Sequence, residues 1–491
     1  MTIRSIRRDD DGSSRAAVCA IRLSRVTLVA FVLSLATLTR PASAQAKAGE
    51  ESGTLPDGTL YSIQVPANWN KTVIRDLDYA GRTNSPRYQA LLKKGYAVTG
   101  TMRHRMRIYR YDPAREIANL DLVLDRFEAH FGKPRRVIQF GCSGGGHATL
   151  AVAEDFPNRI DGAIAMGAHT PVWLMNTFLD GWFALKVLIG QPTRERGEEG
   201  GRAPVDLAIF NLPNGEPFNP SGHGLNGAIP AAWREAIDAA QKTAEGRARI
   251  ALAFTIGQWP AWVNKLTPQP SLDDVDALGH SMYHTAYQIA SSPGGEARII
   301  FENAALGQQL SWNTGIDYRE QFENGNESFK KAVRQLYQAA GLDLDADLAR
   351  INAAPRLAAS PYALEYWKAP GRNVVGKPKI PVLRLHEIGD YQVPISLVQG
   401  YEAQIRANGR EDLYRSAFVK ADGHCEFNPA ETTAAVELMV RRLDTGTWGS
   451  TAPDALNTLA ASLVTGAAPR FITIEQYMQK KYNRTWVPDA R

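Results

Sequence analysis

Three positions far apart in this chain carry the residue types of a serine nucleophile, a histidine base and an orienting acid. Ser143 sits in Gly141-Cys142-Ser143-Gly144-Gly145, which fits G-x-S-x-G, the turn that presents a nucleophilic serine between a strand and a helix. Asp390 ends the largely apolar run Pro381-Val382-Leu383-Arg384-Leu385-His386-Glu387-Ile388-Gly389-Asp390. His424 lies 34 positions later, in Gly423-His424-Cys425. In such a set the serine hydroxyl attacks an acyl carbon. The histidine takes its proton and passes it to the leaving group, and the acid fixes the histidine tautomer.

Each assignment has a rival. Glu387 competes with Asp390 for the acid, and Asp390 is favoured because it follows the turn glycine at a strand end. His386 reads as a packed residue, and His147, just past the motif, as non-catalytic. Of the nine histidines, His424 alone has both the right place in the order and a cysteine neighbour. His169 could line a pocket, although a structural role is the commoner fate of such a residue. The oxyanion hole needs two donors. The backbone N–H of Gly144 is one candidate. The other is expected in Asp78-Tyr79-Ala80-Gly81, from an amide near Ala80 or from the Tyr79 hydroxyl.

The elements that must position these residues read as alternating strands and helices. Strands are predicted over Thr72–Tyr79, Tyr96–Thr101, Arg136–Phe140 and Ile160–Met166. Helices are predicted around Arg87–Lys94, from Asp112-Pro113 to Gly132, and from near Gly146. The rhythm stops between about 170 and 376, which reads as helical, with one long helix over Ala231–Ala253 and another over Glu327–Ala340. It resumes with strands Ile380–Leu385 and Tyr414–Val419 and helices Ser396–Asn408 and Thr432–Leu443. Strand-helix alternation implies a mainly parallel, doubly wound sheet covered on both faces. Together with the Ser–Asp–His order this is the α/β class, an α/β-hydrolase fold with a large helical cap inserted. The expected division is a core over 45–169, a cap over 170–376, a second core part over 377–446 and a C-terminal extension over 447–491. Seven of the ten tryptophans fall in the cap, Trp173 among them. Most are expected to form its own core, with Trp173 a pocket candidate near the junction.

Residues 1–44 carry arginines up to Arg25, an apolar run from Val26 to Leu38, and Ala42-Ser43-Ala44. This is the pattern of a cleaved signal peptide, since the run is too short for a membrane span of roughly 20 residues. Its removal takes away seven arginines, three aspartates and Cys19, and so +4 of the formal +5 charge. A near-neutral remainder argues against a nucleic-acid partner, and a secreted or periplasmic location follows. Cys142 and Cys425 then suit a disulfide tying the nucleophile's turn to the histidine's loop. The alternative is two packed free thiols. Arg194–Arg202 reads as an exposed loop. Metal and nucleotide cofactors are not expected: the cysteines lack zinc-ligand spacing, and the glycine run lacks the P-loop lysine.

Cys142-Ser143, Asp390 and His424-Cys425 resemble the paired-cysteine triad of the tannase and feruloyl esterase family. The resemblance implies a disulfide between the neighbours of serine and histidine and a large lid. It covers little beyond these five residues. Gly144-Gly145-Gly146-His147 departs from the tannase pattern, and no calcium-loop signature stands out. The expectation is an exported serine hydrolase of carboxylic esters with an apolar or aromatic group. Amide or peptide cleavage by the same triad is the alternative, and a non-catalytic binding protein the rival from another class.

Overall fold

A computed structural model describes residues 48–190, 228–263, 268–291 and 300–485. The segment expected as a signal peptide, with Cys19, and the loop expected over Arg194–Arg202 lie outside the described residues. Nine strands form one sheet in the order β1-β2-β4-β3-β5-β6-β7-β8-β9. β3 (Thr72–Asp76), β4 (Ala97–Thr101), β5 (Arg136–Cys142), β6 (Gly162–Met166), β7 (Val382–Gly389) and β8 (Tyr414–Asp422) run parallel. β3 to β7 are buried along nearly their whole length, which is why they read as apolar runs rather than alternating ones. The β4-β3-β5 crossover and a nucleophile turn after β5 are the α/β-hydrolase arrangement.

The edges depart from the sequence expectation. β1 (Gly49–Thr54) and β2 (Leu60–Val65) add an antiparallel pair ahead of the first predicted strand. β1 is Gly-Glu-Glu-Ser-Gly-Thr and has no apolar periodicity to read. β2 does alternate, with Tyr61, Ile63 and Val65 turned inward. At the other edge, β9 (Phe471–Ile472) pairs antiparallel with β8, so the C-terminal extension completes the sheet.

The sheet also accounts for the insertion. β6 and β7 are hydrogen-bonded neighbours, Ala163 opposite Val382, yet the chain between them is the helical stretch. It opens with Pro171–Ile189, a helix apolar enough in length and composition to cross a membrane but 83% buried inside the protein. Two helices, Ala228–Gln241 and Ala244–Ile256, replace the single one expected over Ala231–Ala253. Thr243 makes the break: its backbone leaves the helical region and its hydroxyl accepts from the Gly246 N–H at 2.9 Å. Residues 46–491 form one compact unit.

Candidate active site

The Gly141–Gly145 turn leaves β5 and enters helix Gly144–Asp155 with no intervening loop. Ser143 takes φ 60° and ψ −120°, a conformation that costs of order 1–3 kcal/mol for a residue with a Cβ. Its N–H donates to the Met166 carbonyl at 3.0 Å, which fixes the turn against β6. The glycines answer steric needs. A Cβ on Gly141 would lie 2.6 Å from the Gly145 backbone, and one on Gly146 2.6 Å from the Met166 carbonyl.

Asp390 follows β7 directly and is fully buried. One carboxylate oxygen accepts the N–H groups of Gln392 and Val393, both at 2.9 Å, and the other receives His424 Nδ1–H at 2.7 Å. That leaves Nε2, the atom a triad histidine presents to its serine, buried without a hydrogen-bond partner. Ser143 and His424 line the same cavity of about 680 Å³. Glu387 is turned elsewhere: it accepts the Glu426 N–H at 2.6 Å. Burial and the neighbouring Asp390 push its carboxyl well above the usual range, which disfavours it as the ionised acceptor. His386 is packed, donating from Nε2 to the Val393 carbonyl at 2.8 Å, with burial lowering its pKa to about 4.

Cys142 and Cys425 form a disulfide with Cα atoms 6.0 Å apart across 283 residues of sequence. It joins the residue before Ser143 to the residue after His424, so the two loops cannot drift apart. A Cβ on Gly167 would meet the Cys142 sulfur, Asp390 Oδ2 and Glu387 Oε2 at 3.3–3.5 Å, which shows how tightly bridge and acid converge.

Four sequence candidates do not line the cavity. The Tyr79 hydroxyl donates to Gln64 on β2, and its ring packs edge-on against Tyr88 at 5.0 Å; it is fully buried and does not face the cavity. Ala80 shares that short turn, but Gly81 and Arg82 are its residues on the cavity wall. Trp173 is wholly buried against Tyr482 at 6.1 Å, and Trp182, Trp233, Trp259 and Trp367 are equally enclosed in the core. His169 stacks on His147 at 5.6 Å, with its carbonyl accepting from His147 Nδ1 at 3.1 Å. Burial holds its pKa well below normal, helped by His147 and by Arg107 and Arg103.

Those arginines are what the sequence reading missed. Arg103 makes a two-point contact with Asp78, at 2.6 and 2.8 Å, and reaches the Cys142 carbonyl at 3.4 Å. A Cβ on Gly144 would lie 3.0 Å from Arg103 Nη1 and 3.1 Å from Arg107 Nη2. Arg82, Arg87 and Arg103 line the cavity. Asp78 is held ionised below its usual range despite burial by Arg103, whereas burial and Asp78 push Asp76 up to about 6. The cavity wall thus sets Arg82, Arg87 and Arg103 against Asp76, Asp78 and Glu426. Arg107 stacks over Tyr111 at 4.6 Å, and Tyr111, Phe301, Trp367 and His169 pack ring to ring at 5.3–6.1 Å. In this cluster His169 Nδ1 and both oxygens of Glu116 are buried with no hydrogen-bond partner. An unmet buried polar atom costs about 1–3 kcal/mol. Among the described residues no group of three or more His, Cys, Asp or Glu is placed to hold a metal ion.

Over 444 residues the sequence is 57% identical to the o-phthalyl amidase of Xanthobacter agilis, covering 90% of this chain and 97% of that one. The chain belongs to the o-phthalyl amidase family. At the level of reaction class this makes it a hydrolase. The paired-cysteine resemblance rests on five residues around a triad, which report local geometry and say little about the rest of the chain. No family model matches the sequence. Among solved structures the chain is similar to an esterase from Aspergillus oryzae, at 14% identity over 79% of this chain and 78% of that one, with TM-score 0.39. Feruloyl esterase B from the same organism has 14% identity over 81% and 80%, with TM-score 0.38. Likenesses of this size carry no activity across.

Proposed function

We propose that this family member is a serine amidohydrolase that cleaves aromatic amides of the o-phthalyl kind through an acyl-enzyme on Ser143. The sequence reading put esters first and amides second. The 57% identity to an o-phthalyl amidase over nearly all of both chains reverses that order, and it is the observation that carries the reading. Ser143 Oγ adds to the amide carbonyl carbon while His424 Nε2 takes its proton, and Asp390 holds the imidazole by Nδ1–H and stabilises the imidazolium. The Gly144 N–H, first in its helix and without an intrahelical acceptor, faces the developing oxyanion. His424 returns the proton to the leaving nitrogen, the C–N bond breaks and the amine departs. Water then repeats the sequence on the Ser143 ester and releases the acid. The Cys142–Cys425 bridge supports an exported site of action, as expected from residues 1–44.

The test is release of amine from an o-phthalyl anilide by the purified protein, beside the same protein carrying Ser143→Ala. Turnover by the first alone is expected, with loss of at least about 10⁴-fold in the variant. Hydrolysis of the matching phenyl ester with no measurable hydrolysis of the anilide would return the assignment to esterase. A variant as active as the parent would remove Ser143 as nucleophile.

A further inference from the structure

An o-phthalyl amide carries a second carboxylate on the ring carbon next to the one bearing the scissile carbonyl. The two carboxyl carbons of such a ring lie close together, so a group that binds the second must stand near Ser143. The neighbour on the helix side is Gly144, and the groups packed against it are guanidiniums rather than apolar side chains. We propose that Arg103 and Arg107 form a carboxylate clamp across Gly144 that selects amides bearing an ortho acid. The proposal rests on the amide-cleaving reading above and names its substrate determinant.

Three observations carry it. Arg103 is not free to turn away, because Nε and Nη2 are locked on Asp78 and only Nη1 points to Gly144. Arg107 is half-buried on Tyr111 and turns Nη2 to Gly144, and His169 Nδ1 is buried without a partner. Two guanidinium nitrogens aimed at one point suit an anionic ligand that arrives with the substrate. The two nearby acids do not cancel them. Asp78 is engaged by Arg103, and Glu116, fully enclosed, makes no hydrogen bond to either arginine; burial raises its pKa towards the neutral form. Gly144 is part of the device. Any side chain there would meet both guanidiniums at 3.0–3.1 Å and fill the space between them and the nucleophile.

The experiment separates this proposal from the reaction assignment by using four substrates, the anilides and phenyl esters of phthalic and of benzoic acid. The amide-to-ester ratio tests the reaction. The ratio of kcat/KM with and without the ortho carboxylate tests the clamp, and can be read from the esters even if no amide is cleaved. A preference for the carboxylated member of about 10²-fold or more is expected, since a site built to pair a polar group rejects the analogue lacking it. Arg107→Gln should cut the preference at least tenfold, and Arg107→Lys should keep part of it. A second measurement needs no variant: phthalate should inhibit the unmodified protein at least ten times more strongly than benzoate, less so as salt is raised. Equal inhibition by the two acids, or a carboxylate preference unchanged in Arg107→Gln, would overturn the clamp.

Discussion

Two buried ionic clusters in this protein are built in opposite ways. In the helical stretch, Arg484 meets Asp180 at 3.2 Å and donates to the Trp312 carbonyl. The second oxygen of Asp180 accepts from the Tyr318 hydroxyl at 3.1 Å, which itself accepts from Asn313 at 2.9 Å. Every charge there faces a counter-charge within the protein, and none of these residues lines the cavity. Beside Ser143 two guanidiniums, Arg103 and Arg107, stand together against Gly144, and only Arg103 is tied to a carboxylate, that of Asp78. The difference teaches which kind of buried charge signals function. A closed cluster ties elements together, whereas cations packed against the nucleophile's turn are placed to meet a ligand.

The largest effect should come from the acid that orients His424. Asp390→Asn keeps the shape but favours the wrong imidazole tautomer, and should cost on the order of 10⁴ in kcat. Glu387→Gln replaces a carboxyl engaged by the Glu426 N–H with a near-isostere and should cost less than about tenfold; steady-state kinetics on both variants decides, and the reverse ranking would move the acid to Glu387. Next is the closed cluster. Arg484→Met leaves Asp180 buried without its counter-charge and should destabilise by about 3–5 kcal/mol in denaturant unfolding. Among molecules still folded, substrate preference should be unchanged; altered preference would break the contrast between the clusters.

Removing the bridge by Cys142→Ala with Cys425→Ala should lower activity about 10²-fold before the fold is lost, because a shift of about 1 Å between serine and histidine is enough to do so. Activity and circular dichroism followed together in rising reductant test this, and coincident loss would mean that the bridge serves the whole fold rather than the site. The smallest effect is on pH. Burial pushes one carboxyl of each cluster, Asp76 and Asp180, up to about 6 from the 3.8 of an exposed chain. Folding therefore favours the protonated form. Each contributes stability that is complete below about pH 4 and is lost as pH rises through about 6, on the order of 2 kcal/mol apiece. Asp76→Asn should flatten its share of the decline in Tm between pH 4 and 7. An unchanged slope would show that Asp76 titrates normally in the folded protein.

The chain itself dictated the parallel core, because strands buried on both faces must be continuous apolar runs and helices packed on them must repeat at 3.6 residues. It also dictated the order Ser143, Asp390, His424 and the presence of two cysteines beside two of them, since these are properties of position along the chain. Arg103, Arg107, Tyr111, Phe301 and Trp367 carried no such signature. They come from two short segments and from the far end of the helical stretch, and a cation in sequence looks the same whether it faces water or Gly144. The break at Thr243, the closing of the sheet by β9 and the turning of the Tyr79 hydroxyl onto Gln64 were also beyond reach, because competing contacts many residues away decide each of them. Local chemistry fixed which residues could react. Only the packing of distant segments decided which groups stand around them, because proximity across 283 residues is a property of the folded chain and not of its order.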